Sequence, residues 1–290
     1  MRLKGIFKGK SSTSKLLFLF LITLLSVLLH TLFAQSMIIL FTDVSLATVS
    51  IIQFTKQSEI DALKFIQMFS TIGLFIVPTL SYSYLCDFDL KLKLNFNRQS
   101  VILAISIMLL ISPFIAFIYE WNLSFNIPDW ILVFDNNTEE ITKRFLKMTS
   151  VCDLFFNLLI IAVLPALGEE LLFRGYLQQK MCQWIRKPIL AIIITAILFS
   201  AIHMQFLAFL PRFALGVVLG YLFYWSGSLW LPIIAHFLNN ALVITFAYPT
   251  LSNYAYLNTN KATWQEAFFS FTAVLLLAFL LKKNLSIKKG

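Results

Sequence analysis

Charged residues are few: Asp, Glu, Lys and Arg make up 13% of the 290 residues, where a soluble domain carries about a quarter. Hydrophobic residues make up 59%, and a soluble globule of this size has too little interior to hide them, so an aqueous enzyme is excluded. Disorder is excluded as well, because disordered chains are rich in charge and poor in aromatics, whereas this one has 30 Phe. Cysteine is scarce and unpatterned. Cys86, Cys152 and Cys182 are odd in number, widely spaced and form no CxxC, which supports neither a disulfide framework nor a zinc ribbon; they read as small apolar packing residues. There is no hydrophilic domain, internal repeat or low-complexity tract, and the longest polar stretch, 120–150, is short and acidic. The chemistry of this chain therefore lies in or against a membrane.

What is present is hydrophobic length, with a mean hydropathy of +0.82. A spanning helix needs about 20 mostly apolar residues. Runs of that size fall near Leu16–Phe33, Ala62–Leu85, Val101–Tyr119, Val151–Leu167, Pro188–Met204, Phe206–Trp225, Leu229–Tyr248 and Ala267–Leu281, eight in all. Met37–Phe54 is also apolar but is interrupted by Asp43, and it reads as interfacial or re-entrant. With the N-terminus inside, the inner segments 1–15, 87–99, 174–187 and 282–290 hold sixteen of the 23 Lys and Arg. That bias follows the positive-inside rule and puts both termini in the cytoplasm. The net charge of +9 is thus an orientation signal and gives no reason to expect nucleic acid as a partner. All six Trp fall at span ends, as an aromatic belt requires. The basic start, Arg2 to Lys15, followed by an apolar run also has the form of a signal peptide. The run is long for that role and Leu32–Phe33–Ala34 is a poor cleavage site, so a retained first helix is expected. The fold class is all-α: a polytopic helical bundle of about eight spans.

Ionisable groups at bilayer depth are costly, and each is a functional candidate. The second half of the chain holds a compact set: Glu169, Glu170 and Arg174, then His203, then His236 with Asn240. On a helix Glu170 and Arg174 are four residues apart and can pair, while Glu169 points about 100° away. One carboxylate is then structural and the other chemical. His236 and Asn240 also share a face, as a pair of interhelical hydrogen-bonding groups or as a binding site. His30, in a Leu-rich run with no polar companion, reads as structural. Gly216 and Gly220 have small-xxx-small spacing for close helix packing. Arg212 reads as a residue reaching for the interface, or as a contact for a substrate carboxylate.

Depth ties three of these groups together. Glu169 lies 17 residues before the basic turn at Arg186–Lys187 and His203 lies 16 after it, which puts both about 25 Å from that turn at about 1.5 Å per residue. His236 lies 8 residues from the turn at Ser226–Ser228, about 12 Å, and reaches the same level if the first hairpin projects about 12 Å farther into the cytoplasm. A carboxylate and two imidazoles at one depth suit two hydrolytic mechanisms. In one, Glu169 and His203 activate a water while His236 and Asn240 stabilise the oxyanion. In the other, Glu169, His203 and His236 bind zinc or another divalent metal. No HExxH is present to favour the second.

Three motifs, Glu169-Glu170-Leu-Leu-Phe-Arg174, Phe199-Ser-Ala-Ile-His203 and His236-Phe-Leu-Asn-Asn240, resemble the EExxxR, FxxxH and HxxxN pattern of the CPBP intramembrane endopeptidases. That family includes type II CAAX prenyl proteases, Abi-type bacteriocin self-immunity proteins and lysostaphin-resistance-like proteins. The resemblance covers about residues 150–245 and extends to Phe173-Arg-Gly-Tyr-Leu and Ser226-Gly-Ser-Leu-Trp-Leu-Pro. It implies a catalytic core at 150–250 between an N-terminal helical region, 1–149, and a last helix with a basic tail, 251–290. It implies hydrolysis near the C-terminus of a membrane-associated peptide or protein substrate, CAAX-type or precursor, in a bacterial inner membrane. Glu169 would be the base and His203 its partner, with His236 and Asn240 at the oxyanion and Glu170, Arg174 and Phe199 in support. The family is conventionally called metalloprotease, and a metal-free glutamate mechanism is also argued for it. The competing class is a non-catalytic immunity, scaffold or transport protein that uses these polar groups for packing or binding.

Overall fold

The computed structural model describes residues 3–42, 44, 57–252 and 261–287, and all regular structure among them is helical. Helices α1 (Ser12–Phe41), α2 (Gln57–Cys86) and α3 (Arg98–Leu123) form the first half of a membrane bundle. A surface helix, α4 (Asp129–Phe145), follows. Then come α5 (Val151–Ile185), α6 (Pro188–Ala201), α7 (Phe206–Ser226), α8 (Trp230–Ala247) and α9 (Trp264–Ile287). Seven of these are long and apolar enough to cross a bilayer. Phe20, Leu24 and Leu28 on α1, and Phe269, Leu276 and Phe279 on α9, are exposed large apolar side chains of the kind lipid covers. The chain is an integral, multi-pass membrane protein.

Two expectations change. The first helix does not stop at Phe33: capped by Ser11, whose Oγ accepts from the Ser14 amide, it runs unbroken through Met37 to Phe41. The part of 37–54 that was to be interfacial thus begins as a continuation of a span, and residues 45–54 lie outside the described residues. The fifth expected span, Pro188–Met204, is a helix of only 14 residues, about 21 Å long. It breaks off where the chain must turn His203 inward. Irregular backbone at membrane depth persists only where protein satisfies its polar groups, and the polar groups that follow the break are satisfied from α3 and α4. Asp135 accepts from the amides of Phe206 (3.2 Å) and Leu207 (2.7 Å). Asn122 donates to the Phe206 carbonyl (2.9 Å) and accepts from the Leu210 amide (2.9 Å).

Proline shapes the helices near the site. A Pro lacks the amide that the carbonyl four residues back would receive, and the chain here widens into a π-helical turn just before it: Ile72–Ile76 ahead of Pro78, and Leu158–Val163 ahead of Pro165. At Pro165 the carbonyl in question is that of Ile161, and Asn240 Nδ2 on α8 donates to it at 3.2 Å. The two widened helices, α2 and α5, lean together at Gly168, where an added Cβ would lie 2.8 Å from Phe75 Cβ. Close approach is equally strict between α6 and α7: a Cβ on Gly216 would meet Ala196 Cβ at 3.1 Å, and one on Gly220 would meet Ile192 Cγ2 at 2.8 Å.

Candidate active site

The carboxylate pair on α5 divides as the helical spacing requires. Glu170 is fully buried, and its Oε1 accepts from Arg174 Nη1 at 2.7 Å and from His236 Nδ1 at 2.8 Å. Arg174, also fully buried, donates through Nη2 to the Gly216 carbonyl at 3.1 Å and lies 4.5 Å from the Phe199 ring centre. Counted by sequence among the inner loop charges, Arg174 is in fact an internal cation. One turn on, Gln178 Nε2 donates to the Gly220 carbonyl at 2.9 Å. Glu170, Arg174 and Gln178 thus form a polar ladder along α5 that reads the two glycine carbonyls of α7. Only a residue without a Cβ lets the helices approach closely enough for this. Gln178 was missed as part of the site; its place four residues beyond Arg174 was the available signal.

Glu169 faces the other way. Its Oε2 is buried and has no hydrogen-bond partner among the described residues. Two imidazoles face that oxygen: His203 Nε2 at 3.9 Å and His236 Nε2 at 3.8 Å. The other nitrogen of each ring is held. His203 Nδ1 donates to the Phe199 carbonyl at 2.8 Å, since a carbonyl can only accept, and His236 Nδ1 donates to Glu170. When neutral, each ring therefore carries its proton on Nδ1 and presents the Nε2 lone pair to Glu169. Three helices that were expected to bring these groups to one depth do so. Phe199 forms the floor: its ring meets those of Phe173, His203 and His236 edge-on at centroid separations of 5.2, 5.3 and 5.8 Å.

These groups open onto a cavity of about 530 Å³. Its walls are mostly apolar, with Ile160, Leu215 and Val243 from three of the spans. The N-terminal half contributes more than spans: Gln67 of α2, Met108 of α3, and Thr138, Ile141 and Phe145 of α4 line the same space. Asn239 and Asn240 both reach it. Asn240 accepts from Asn239 Nδ2 at 3.1 Å and spends one of its own amide protons on Ile161, which leaves one for a ligand. Arg212 does not reach for the interface. It turns into the cavity, with Nη2 bonded to Gln205 Oε1 and a buried Nη1 that has no partner among the described residues. His30 stands apart on α1, its Nδ1 bonded to the Ser26 carbonyl at 2.8 Å and its Cβ packed on Gly73.

Glu169, His203 and His236 are the donor types of a hydrolytic zinc site, and an Nδ1 anchored to a carbonyl or carboxylate is how metal-binding histidines are oriented. As placed, however, no trio of His, Cys, Asp or Glu among the described residues is disposed to hold a metal ion. Glu170, the nearer carboxylate to His236, is committed to Arg174.

The fold and cavity define a membrane-embedded bundle with a free carboxylate and two imidazoles at the wall of a cavity. Comparison with known proteins refines that class. Residues 152–242, which carry all three motifs, match the family model described as Type II CAAX prenyl endopeptidase Rce1-like. The resemblance read from the motifs is thus found independently over that segment. An uncharacterized protein, YpbD of Bacillus subtilis (strain 168), is 30% identical over 106 residues, which are 35% of this chain and 49% of that protein. The chain thus spans about half the length of this curated relative. No solved structure matches the chain.

Proposed function

We propose that this protein is an intramembrane endopeptidase that hydrolyses a peptide bond of a membrane-associated substrate. The observation that carries the proposal is the buried, unpartnered Oε2 of Glu169, faced by two Nε2 atoms at the wall of an apolar cavity. Two atoms 3.8–3.9 Å apart leave a position within ordinary hydrogen-bond reach of both, about 2.8 Å from each. A water placed there is polarised by Glu169 with His203 Nε2 beside it. Its oxygen bonds to the substrate carbonyl carbon while its proton passes to Glu169. The oxyanion then receives the remaining Asn240 amide proton and, when His236 carries both protons, the Nε2–H of His236. Collapse breaks the C–N bond, and Glu169 returns the proton to the leaving amine. Glu170, Arg174 and Phe199 hold His236 and His203 in place and touch no reacting atom. The family match at residues 152–242 supports the same reaction class.

The test is reconstitution of the full chain in lipid vesicles with lipid-anchored peptides. Native protein cleaves them, and Glu169→Gln and His203→Ala insert and fold but do not. If biological complementation survives Glu169→Gln while cleavage is lost, the protein acts as a non-catalytic immunity, scaffold or transport protein; if cleavage itself survives, Glu169 is not the base. A divalent ion held by Glu169, His203 and His236 is the second reading, favoured by the two free Nε2 atoms. Metal content and chelator sensitivity of active protein separate the two.

A further inference from the structure

We infer that the substrate reaches Glu169 from the outer, extracytoplasmic side of the membrane, so that the scissile bond belongs to an exported, membrane-anchored peptide. The inference rests on the endopeptidase reading above and adds the side from which that site is served. Basic residues gather at one end of the bundle. There the amides of Gly5 and Phe7 bond to the Tyr84 and Leu85 carbonyls, and the Leu229 amide bonds to the Lys91 carbonyl. Asn284 bonds to Ser100 and Gln99, and Lys180 lies 4.9 Å from the Phe88 ring centre. These contacts unite the segments 3–15, 87–99, 180–187 and 282–287, which hold twelve Lys and Arg against two acidic residues, Asp87 and Asp89. The segment 120–150, at the opposite end, holds five acidic and three basic residues. By the positive-inside rule the basic end is cytoplasmic. The cavity extends away from it. Helix α5 runs toward the basic end and α8 away from it, and Glu169 and His236 are the innermost lining residues on each. The rest of their lining climbs outward, through Pro165 and Ile161 on α5 and through Asn240 and Val243 on α8. Farther out lie Gln205, beside the break in α6, and the exposed Thr142 on α4. Inward of Glu169 the bundle is packed: Phe173, Arg174 and Gln178 are 3%, 0% and 1% exposed. Arg174 and Gln178 also bond across to the glycine carbonyls of α7. His203, on the outer side, keeps 27% of its side chain exposed. A peptide backbone at membrane depth needs polar partners or water along its path, and Thr142, Gln205 and Asn239 supply them on the outward route. A substrate held at the cytoplasmic face meets the packed end instead.

The experiment uses the full chain in bacterial spheroplasts and in sealed inside-out vesicles from the same cells. A fluorescent peptide linked to a phospholipid headgroup, which holds it in the leaflet it enters, is added to each. Hydrolysis is expected in spheroplasts, with none above the Glu169→Gln background in inside-out vesicles until detergent opens them. In parallel, Thr142→Cys or Lys187→Cys, both at exposed positions, is placed in a chain carrying Cys152→Ser and Cys182→Ser, with Cys86 left buried. A membrane-impermeant maleimide should label position 142 in spheroplasts alone and position 187 in inside-out vesicles alone. Hydrolysis confined to inside-out vesicles, equal hydrolysis from both faces, or the reverse labelling would overturn the inference and leave the endopeptidase reading standing. No hydrolysis from either face or in detergent defeats the endopeptidase reading, and this inference with it.

Discussion

Glu169 and Glu170 are neighbours in sequence with opposite expected responses to the same substitution. Glu170→Gln removes a fully buried negative charge that accepts from Arg174 at 2.7 Å and from His236 at 2.8 Å. The amide still offers one oxygen, but Arg174 becomes a buried cation with only a backbone carbonyl and an aromatic face. Breaking a buried pair from one side costs about 3–5 kcal/mol. Glu169→Gln removes no hydrogen bond from Oε2, because there is none. The shape is unchanged and a desolvated carboxylate disappears, so stability should not fall below native.

The assay is thermal unfolding of the purified full chain in one detergent, run beside peptide hydrolysis. With about 2–4 °C per kcal/mol for chains of 150–250 residues, Glu170→Gln should unfold roughly 6–20 °C below native and Glu169→Gln at or above it. Activity should divide the other way per folded molecule: loss of a general base removes about 10²- to 10⁴-fold in Glu169→Gln. Glu170→Gln, measured well below its unfolding temperature, should keep a detectable rate. The reasoning is refuted if Glu169→Gln is the less stable of the two, or if it hydrolyses peptide at a tenth of the native rate or better.

Three further outcomes follow from the packing. Gly168→Ala places a methyl 2.8 Å from Phe75 Cβ, an overpacking that costs about 1–3 kcal/mol and shifts the neighbouring Glu169; lower unfolding temperature together with lower kcat checks it. Asp135→Ala frees the amides of Phe206 and Leu207, a loss of about 0.5–2 kcal/mol by analogy with helix caps. Because that loop positions Gln205 and His203, hydrogen exchange at 203–208 should rise and KM with it. The third concerns pH. The Lys8 ammonium, 2.6 Å from Asp87 and donating to it, holds this exposed carboxyl below its usual value. A depressed carboxyl stabilises above its unfolded value, about 3.9, and loses that contribution as pH falls through the folded one. Protection of the Gly5 and Phe7 amides, which bond to the Tyr84 and Leu85 carbonyls, should therefore weaken below about pH 4, and Asp87→Asn should flatten the dependence.

What could be read ahead of the structure was whatever repeats locally. Hydropathy located the spans because lipid imposes the same requirement on every turn. The Glu170–Arg174 pair was legible because four residues make one helical turn, and the common depth of Glu169 and His203 because both could be counted from one hinge. The cavity wall was not legible. Thr138 and Phe145 lie on a helix in a stretch that reads as an acidic loop, and Asp135 bonds to amides 71 and 72 residues away. No period in sequence marks such contacts. The length of α6 was misjudged for a related reason: Ile202 and Met204 are apolar enough to continue a span, and the break after Ala201 depends on partners in α3 and α4.

The glycines of α7 show how a packing motif and a chemical one become the same motif. Gly216 and Gly220 have the spacing expected of bare helix contact, and that contact is present. Yet the same close approach brings their carbonyls to Arg174 and Gln178. Arg174 in turn fixes Glu170, and Glu170 orients His236 toward Glu169. A bulkier residue at 216 would therefore act on the site through three hydrogen bonds in series, without touching the cavity's reactive groups. Gly216→Ala should lower kcat in proportion to how far it weakens the Arg174 bond, and a compensating Ala196→Gly, which removes the Cβ 3.1 Å away but not the Cα at 3.2 Å, should restore part of both stability and rate. Rescue of stability without rate would show that packing and chemistry are separable here, and that the ladder along α5 does not position His236.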